Sequence, residues 1–271
     1  MELKYYQKSV MRNLSSYMDC INNTANLFAA WEEYWRRQDI SVGFGGVPAY
    51  SNSIKGVPHV CMKVPTGGGK TFMACSSVKR IFDEMPKDKP KVVVWLVPSD
   101  PILNQTIKTL SNITHPYRQK LESDFAGRVG VYTKEQLLNG QNFSPDTVGE
   151  MLTVCILSYG SLRIDSKKKD VRKVYQENGN LLRFAEYFND KETLLADTPD
   201  TALIQVLRQL SPVTIVDESH NAGSDLSIEM LNRLNPSFVL DLTATPRKNS
   251  NILCYVDARE LKKEHMVKLP V

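Results

Sequence analysis

The sequence is poor in the residues that build disulfide frameworks and metal centres, and it has no long apolar run. Its five cysteines are odd in number and show no C-x-x-C spacing, and its four histidines are scattered. Reduced structural thiols are therefore expected rather than disulfides or a zinc site. No apolar run approaches the roughly 20 residues that span a bilayer, and the first four residues do not begin a secretory signal. We expect a soluble, cytoplasmic protein with no membrane partner.

The sequence also lacks a strong net charge. Its 34 lysines and arginines against 30 aspartates and glutamates give a charge of +4, which does not by itself indicate a nucleic-acid partner. Local contacts can still hold a strand without a large global charge. With 271 residues, 42% of them hydrophobic, and alternating strand and helix patterns, one large α/β domain is favoured. We find no internal repeat, low-complexity tract or sustained heptad.

A glycine-rich segment near the first quarter of the chain predicts a nucleotide site. The segment runs Pro65-Thr66-Gly67-Gly68-Gly69-Lys70-Thr71, after an apolar run that ends at Val64 and before a helical pattern. Glycines let backbone N–H groups converge on an anion, and the following helix start favours negative charge. Lys70 would reach the β- and γ-phosphates, and Thr71 would ligate Mg²⁺. The general form G-x-x-x-x-G-K-[ST] has glycine where this chain has Val64, so the first glycine is missing.

A second motif follows the β-branched run at 212–216. The run ends in Asp217-Glu218-Ser219-His220, which places an acidic pair where a buried strand emerges. Asp217 can hold Mg²⁺ there, directly or through a water, and Glu218 can orient and activate a water for attack on the γ-phosphate. Alone, such a pair is most often a solvated loop or a helix cap. Together with the glycine-rich loop it favours a nucleotide-hydrolysing site.

A third motif ends the apolar run at 238–242. It consists of Thr243, Ala244, Thr245 and Pro246. Its hydroxyl groups could hydrogen-bond the acidic loop. By itself the tetrapeptide would serve equally well as an ordinary strand exit.

In this order the three motifs resemble those of superfamily 2 helicases and translocases. PTGGGKT is similar to the variant phosphate loop of that superfamily, DESH to its DExH box and TATP to its third motif. The resemblance implies ATP and Mg²⁺ as cofactors, with the whole segment from Pro65 to Thr71 binding nucleotide. It implies catalytic roles for Lys70, Asp217, Glu218 and His220, Mg²⁺ at Thr71 and Asp217, and coupling of hydrolysis to movement through Thr243, Ala244 and Thr245.

Two further strand ends resemble segments with which this superfamily contacts nucleic acid. One apolar strand leads into Pro98 and Ser99, with Gln105 on the next helix, and another leads into Ser158 and Tyr159. Backbone amides and small hydroxyls at such places would hold DNA phosphates without reading bases. An ordinary helix start capped by Ser99 explains the first segment equally well.

Gln7, in an N-terminal helical pattern, resembles the upstream glutamine that reads adenine in this superfamily. An amide offers one donor and one acceptor, which match the N6 and N7 edge of adenine. A lone glutamine on a helix is usually a solvated polar residue. Its position upstream of the phosphate loop makes ATP the favoured nucleotide over GTP.

The sequence around the acidic pair narrows the resemblance. The stretch from 202 to 222, with PTGGGKTFMA upstream, looks like the restriction subunit of type III restriction-modification enzymes, and the closing stretch 256–270 fits the same group. That resemblance implies double-stranded DNA as a partner, and a second RecA-like domain and a nuclease domain in the same full-length chain. It also implies a methyltransferase or specificity subunit as a partner.

The fold expected is α/β, a doubly wound, mostly parallel sheet of the RecA-like P-loop NTPase type. Open parallel sheets place ligands at the carboxyl ends of their strands, so all the motifs should meet at one edge. Helices are expected at about 4–19 and 24–38, before a long loop from 40 to 58. Candidate strands lie near 60–64, 91–97, 128–132, 152–157, 213–217 and 238–242.

Three parts of the chain are expected. Residues 1–58 supply N-terminal helices and a Gly/Ser/Pro-rich loop to the motor domain, and 59–255 form the first RecA-like domain with a charged helical insertion at about 164–209. Residues 256–271 begin the connection to a second motor domain. Neither that domain nor a nuclease motif follows TATP in this sequence. We expect a fragment that hydrolyses ATP very slowly, because the second domain supplies the arginine finger.

Other functions stay open on sequence grounds. The chain could belong to another DEAD/DEAH-like DNA or RNA helicase. A P-loop kinase or GTPase is disfavoured by DESH, TATP and Gln7. A non-hydrolytic, ATP-responsive interaction module is the remaining alternative.

Overall fold

The structure, a computed structural model, describes residues 1–163, 173–187, 192–218 and 224–266. Its centre is a seven-stranded sheet in which all neighbouring strands pair in parallel. The spatial order is β3-β4-β2-β5-β6-β1-β7. The strands are β1 His59–Lys63, β2 Val92–Val97, β3 Val129–Thr133, β4 Leu152–Ser158, β5 Val213–Asp217, β6 Phe238–Thr243 and β7 Ile252–Tyr255.

The six predicted strands are confirmed, with ends within one residue of those expected. The seventh, β7, was not among the candidates, because its four residues form a short apolar run without periodicity. It pairs with β1 at the edge of the sheet.

Helices connect the strands and cover both faces. They are α1 Tyr5–Asn23, α2 Leu27–Arg36, α3 Lys70–Asp83, α4 Asp100–Ser111, α5 Pro116–Asp124, α6 Lys134–Leu138, α7 Pro145–Glu150, α8 Tyr159–Leu162, α9 Leu182–Tyr187, α10 Leu203–Gln209, α11 Ser224–Leu234 and α12 Ala258–Lys263. Short 3₁₀ turns occupy Lys173–Tyr175 and Gly179–Leu181.

Side chains alternate between two hydrophobic cores. On one face, helices α1 to α5 pack on residues such as Met62 and Trp95, and on the other face α6 to α11 pack on residues such as Leu96 and Val239. Because both faces are covered, the central strands β2 and β5 are buried along their whole length. The prediction of a doubly wound parallel α/β fold is confirmed.

The two predicted N-terminal helices are confirmed as α1 and α2, and they belong to the first core. Leu14 and Tyr17 of α1 are fully buried, and the Tyr17 ring packs edge-on against Trp31 with centroids 5.9 Å apart. The hydroxyl of Tyr34 donates to the carbonyl of Leu253 in β7 over 2.8 Å. These helices therefore share a hydrophobic core with the sheet.

The predicted insertion contains α9, α10 and the two 3₁₀ turns, and its residues 192–202 form turns and bends. Its beginning at 164–172, which includes three consecutive lysines at 167–169, and residues 188–191 lie outside the described residues. All five cysteines are buried and free of disulfides, as expected. Among the described helices, none is both long and apolar enough to cross a membrane.

Replacing Leu14 with Ala tests whether α1 is an integral part of the domain. The side chain has no exposed surface, so truncation should lower the free energy of unfolding by about 2–5 kcal/mol. Urea denaturation would measure this. Leu182→Ala is the matched control, because Leu182 is 51% exposed and its loss should change stability by less than about 0.5 kcal/mol. A Leu14→Ala protein as stable as that control would show that α1 is not integrated.

Candidate nucleotide site

Five adjacent parallel strands have their carboxyl ends on the same side of the sheet, and each strand leads into a predicted motif. In spatial order, β4 ends at Ser158, β2 leads to Pro98, β5 ends at Asp217, β6 ends at Thr243 and β1 leads to Pro65. The expectation that the motifs lie together at the carboxyl ends of the strands is confirmed. Their order there is known only from the sheet topology.

The phosphate loop connects β1 to α3 through two left-handed glycines. Gly67 has φ of 80° and Gly69, the N-cap of α3, has φ of 72°. Residues that carry a Cβ atom rarely adopt this left-handed backbone conformation. The N–H of Gly68 donates to the carbonyl of Pro65 over 3.0 Å. The first N–H groups of a helix have no intrahelical partner. The N–H groups of the first turn of α3, which begins at Lys70, can therefore donate to an anion.

An ion pair joins the phosphate loop to the acidic pair. Nζ of Lys70 lies 2.6 Å from Oε1 of Glu218, and the two side chains are 10% and 21% exposed. Glu218 itself has a left-handed backbone, with φ of 50°, and its N–H donates to the carbonyl of Leu242 over 2.9 Å. A phosphate group carries the same sign of charge as Glu218 and could take its place beside Lys70.

Asp217 is a buried carboxyl group, 8% exposed. Burial is the main reason that the pKa of Asp217 is raised to about 6; the nearby charge of Glu218 raises it further, and Lys70 acts in the opposite direction. A divalent cation would compensate this charge. Mg²⁺ is usually held by one or two carboxylates together with phosphates and waters, and the Asp217 carboxylate and the Thr71 hydroxyl are donors of that kind. The residues present therefore fit a nucleotide-bound Mg²⁺.

The end of β6 lies between the phosphate loop and the acidic pair. The N–H of Val64 donates to the carbonyl of Thr243 over 3.0 Å, while the carbonyl of Leu242 accepts from Glu218. Thr243 is completely buried, and its hydroxyl accepts from the N–H of Thr245 over 3.1 Å. Ala244 is half-buried and Thr245 is exposed. The backbone thus connects the three motifs, and the coupling role of the threonines stays a prediction.

Gln7 lies against the phosphate loop and has no exposed surface. Its Nε2 donates to the carbonyl of Gly68 and to the hydroxyl of Tyr6, both over 3.3 Å. Its Oε1 accepts from the N–H of Lys4 over 2.9 Å. The structure therefore brings Gln7 to the site, and its predicted reading of adenine stays a prediction.

The predicted nucleic-acid contacts differ in their surroundings. Ser99 is the N-cap residue of α4, Gln105 is exposed, and the hydroxyl of Ser158 lies 3.0 Å from that of Ser161. Tyr159, by contrast, is 3% exposed, and its hydroxyl donates to the carbonyl of Asp217. The hydroxyl of Tyr159 thus contacts the backbone of the acidic pair from inside the protein. A contact of these residues with nucleic acid stays a prediction.

The predicted catalytic residue His220 lies outside the described residues, as does Ser219.

Sequence reasoning missed residues that pack around the phosphate loop. The hydroxyl of Tyr6 donates to the carbonyl of Gly68 over 2.8 Å. From the far end of the chain, a Cβ on Gly68 would lie 3.4 Å from Leu261 of α12, and one on Gly69 would lie 3.7 Å from Met266. The position of Tyr6 next to Gln7 was the one available signal. No local pattern relates α12 to the loop.

Comparison with known families agrees with this geometry. The family model described as "Type III restriction enzyme, res subunit" matches residues 1–248. The chain therefore belongs to this family and is a helicase-type motor domain with a RecA-like fold. No curated protein matches it in sequence.

Three solved structures are similar to this chain at low identity. A nuclease-deletion mutant of the type ISP restriction-modification enzyme LlaGI, in complex with a DNA substrate mimic, is 12% identical over 98% of this chain and 21% of its own, with a TM-score of 0.49. The SWI2/SNF2 ATPase core of Sulfolobus solfataricus with dsDNA is 14% identical over 91% and 32%, with a TM-score of 0.39. The UvsW helicase of bacteriophage T4 is 11% identical over 88% and 64%, with a TM-score of 0.36. This chain thus spans between about a fifth and two thirds of those chains.

Replacing Asp217 with Asn tests the electrostatic cost of the buried carboxylate. The pKa of Asp217 in the folded protein, about 6, lies above the unfolded value of about 3.9. The folded state therefore binds the proton more tightly, and its stability falls as pH rises from about 4 to 6. In EDTA at pH 7.5, Asp217→Asn should raise the free energy of unfolding by on the order of 1–3 kcal/mol.

At pH 4 the same substitution should be nearly neutral, because the native carboxyl group is then protonated. Urea titrations at both pH values measure the difference. A gain that is equal at pH 4 and pH 7.5 would contradict the role of the charge.

Proposed function

We propose that this chain binds ATP with Mg²⁺ and is the first motor domain of a DNA-dependent ATPase, the restriction subunit of a type III restriction endonuclease. The Lys70–Glu218 ion pair of 2.6 Å carries the proposal. In this pair the cation of a phosphate loop that follows β1 lies against the carboxylate proposed to orient water, which follows β5, and β6 lies between those two strands. Family membership of the chain supports the same assignment.

Each group at the site has a proposed task. The N–H groups from Gly67 to Thr71 hold phosphates, and Lys70 binds the β- and γ-phosphate oxygens once they displace Glu218. Glu218, released from Lys70, orients the attacking water. The bound Mg²⁺, held by Asp217 and Thr71, would neutralise charge on the phosphates.

Nucleic-acid binding belongs to the same proposal. Ser99 and Ser158 lie at the carboxyl ends of β2 and β4, on the side of the sheet that carries the phosphate loop, and Gln105 lies on α4. The N-terminal end of α4 would hold a phosphate of double-stranded DNA, and such a contact positions a duplex without reading its sequence. A second RecA-like domain, a nuclease domain and a methyltransferase or specificity subunit are the proposed further components of the enzyme.

Lys70→Ala tests the nucleotide site. Loss of a partly buried cation that pairs with phosphate should weaken binding of ATP with Mg²⁺ by about 100-fold or more, and the fold should stay intact. Titration calorimetry with ATP and with GTP measures affinity and nucleotide preference. Lys79→Ala, on the same helix and 44% exposed, is the matched control and should bind like the wild type.

Unchanged ATP affinity in Lys70→Ala would contradict the nucleotide site. Tighter binding of GTP than of ATP by the wild type would instead favour a GTPase or another P-loop enzyme.

Glu218→Gln separates binding from hydrolysis. The amide keeps the shape of the side chain but cannot activate water, so DNA-stimulated turnover by the full-length enzyme should fall by about 10²–10⁴-fold. ATP affinity should stay the same or increase, because Lys70 loses its competing carboxylate. Turnover that persists in this variant would place the general base elsewhere.

A further inference from the structure

Two side chains of α1 hold one carbonyl of the phosphate loop. The carbonyl oxygen of Gly68 accepts from the Tyr6 hydroxyl over 2.8 Å and from Nε2 of Gln7 over 3.3 Å. Tyr6 is 3% exposed and Gln7 has no exposed surface. Breaking the bond from Tyr6 would leave the proton of a buried hydroxyl group without its acceptor, which costs free energy.

Because a peptide bond is planar, the bonds that fix the carbonyl of Gly68 also fix the direction of the next N–H group. The carbonyl of Gly68 and the N–H of Gly69 belong to one trans peptide, so they point in opposite directions. Because the carbonyl points at α1, the N–H of Gly69 points away from α1. That N–H is one of the loop donors proposed above to bind phosphate.

We propose that the Tyr6 hydroxyl, with Gln7 as a second donor, is a positioning group that orients the Gly68–Gly69 peptide for phosphate binding. The inference rests on the proposed function and adds Tyr6 to the site. It also gives Gln7 a task that acts on the phosphate loop.

The surroundings of Tyr6 keep its phenol group protonated, so that it can donate a hydrogen bond. Burial is the main reason that the pKa of Tyr6 is raised, and the charges of Glu264 and Glu260 act in the same direction. The phenol therefore stays protonated across the physiological range. The loop and α1 also leave no spare room, because a Cβ on Gly69 would lie 2.6 Å from Nε2 of Gln7.

Gln7 has competing engagements that bear on adenine reading. Its Nε2 already donates to Gly68 and Tyr6, and its Oε1 already accepts from Lys4. Contact with both the N6 and N7 atoms of adenine would require one of the two Nε2 bonds to break, because an amide nitrogen has only two hydrogens to donate. Positioning and base reading therefore predict different results for a ligand that has phosphates but no base.

Tyr6→Phe is the test, since it removes the hydroxyl and keeps the ring. Affinities for ATP, GTP and inorganic tripolyphosphate, each with Mg²⁺, should all fall by the same factor. One hydrogen bond corresponds to roughly 2- to 12-fold. Tyr34→Phe is the matched control, because its buried hydroxyl also donates to a backbone carbonyl over 2.8 Å, at Leu253. It should lower stability to urea comparably and leave all three affinities unchanged.

The possible outcomes separate this inference from the proposed function. Wild-type binding of all three ligands with unchanged affinities in Tyr6→Phe would overturn the inference alone. Loss confined to ATP would also overturn it, because Tyr6 would then act on the base. No binding of any ligand by the wild type would overturn both the inference and the proposed function.

Gln7→Leu extends the test to the second donor. Positioning predicts an equal loss of affinity for ATP, GTP and tripolyphosphate. A loss confined to ATP would assign Gln7 to adenine and leave Tyr6 as the only positioning donor.

Discussion

The parallel pairing of β6 with both β1 and β5 is the constraint on which the site depends. It places the carbonyls of Leu242 and Thr243 between the phosphate loop and the acidic pair, where they accept from Glu218 and Val64. The Lys70–Glu218 ion pair can form because one strand separates the two motifs. The strand that ends in the third motif is therefore hydrogen-bonded to both of the other motifs.

The candidate site holds three charged side chains close together, and burying the charge of Asp217 costs free energy of folding. Asp217 is buried beside Glu218, and its raised pKa reflects that cost, while Lys70 is held by a carboxylate in a position suited to phosphate. A magnesium nucleotide, the proposed ligand, would supply a cation to compensate the charge of Asp217 and an anion for Lys70. On that proposal, the free energy that the buried Asp217 carboxylate costs the unliganded protein would be offset when the ligand binds.

The N-terminal helices serve two purposes in one packing arrangement. Leu14 and Tyr17 of α1 fill the first core, and Tyr6 and Gln7, at its beginning, reach the carbonyl of Gly68. Because the helix is anchored by its apolar face, its first turn is a rigid support for a glycine-rich loop. Glycines allow the loop to adopt its conformation but do not hold it there, and the donors of α1 provide that restraint.

The sequence by itself determined the strands and the chemistry of the motifs. Apolar runs predicted six strands within one residue, and PTGGGKT and the acidic pair each marked a strand end, because such patterns depend on near neighbours in the chain. The short strand β7 was not predicted, because four residues are too few to show a periodic pattern. Only the tertiary structure decided the strand order, the pairing of Lys70 with Glu218, the burial of Tyr159 and the contact of Tyr6 with Gly68. Those features depend on packing between segments far apart in the chain, which no local spacing encodes.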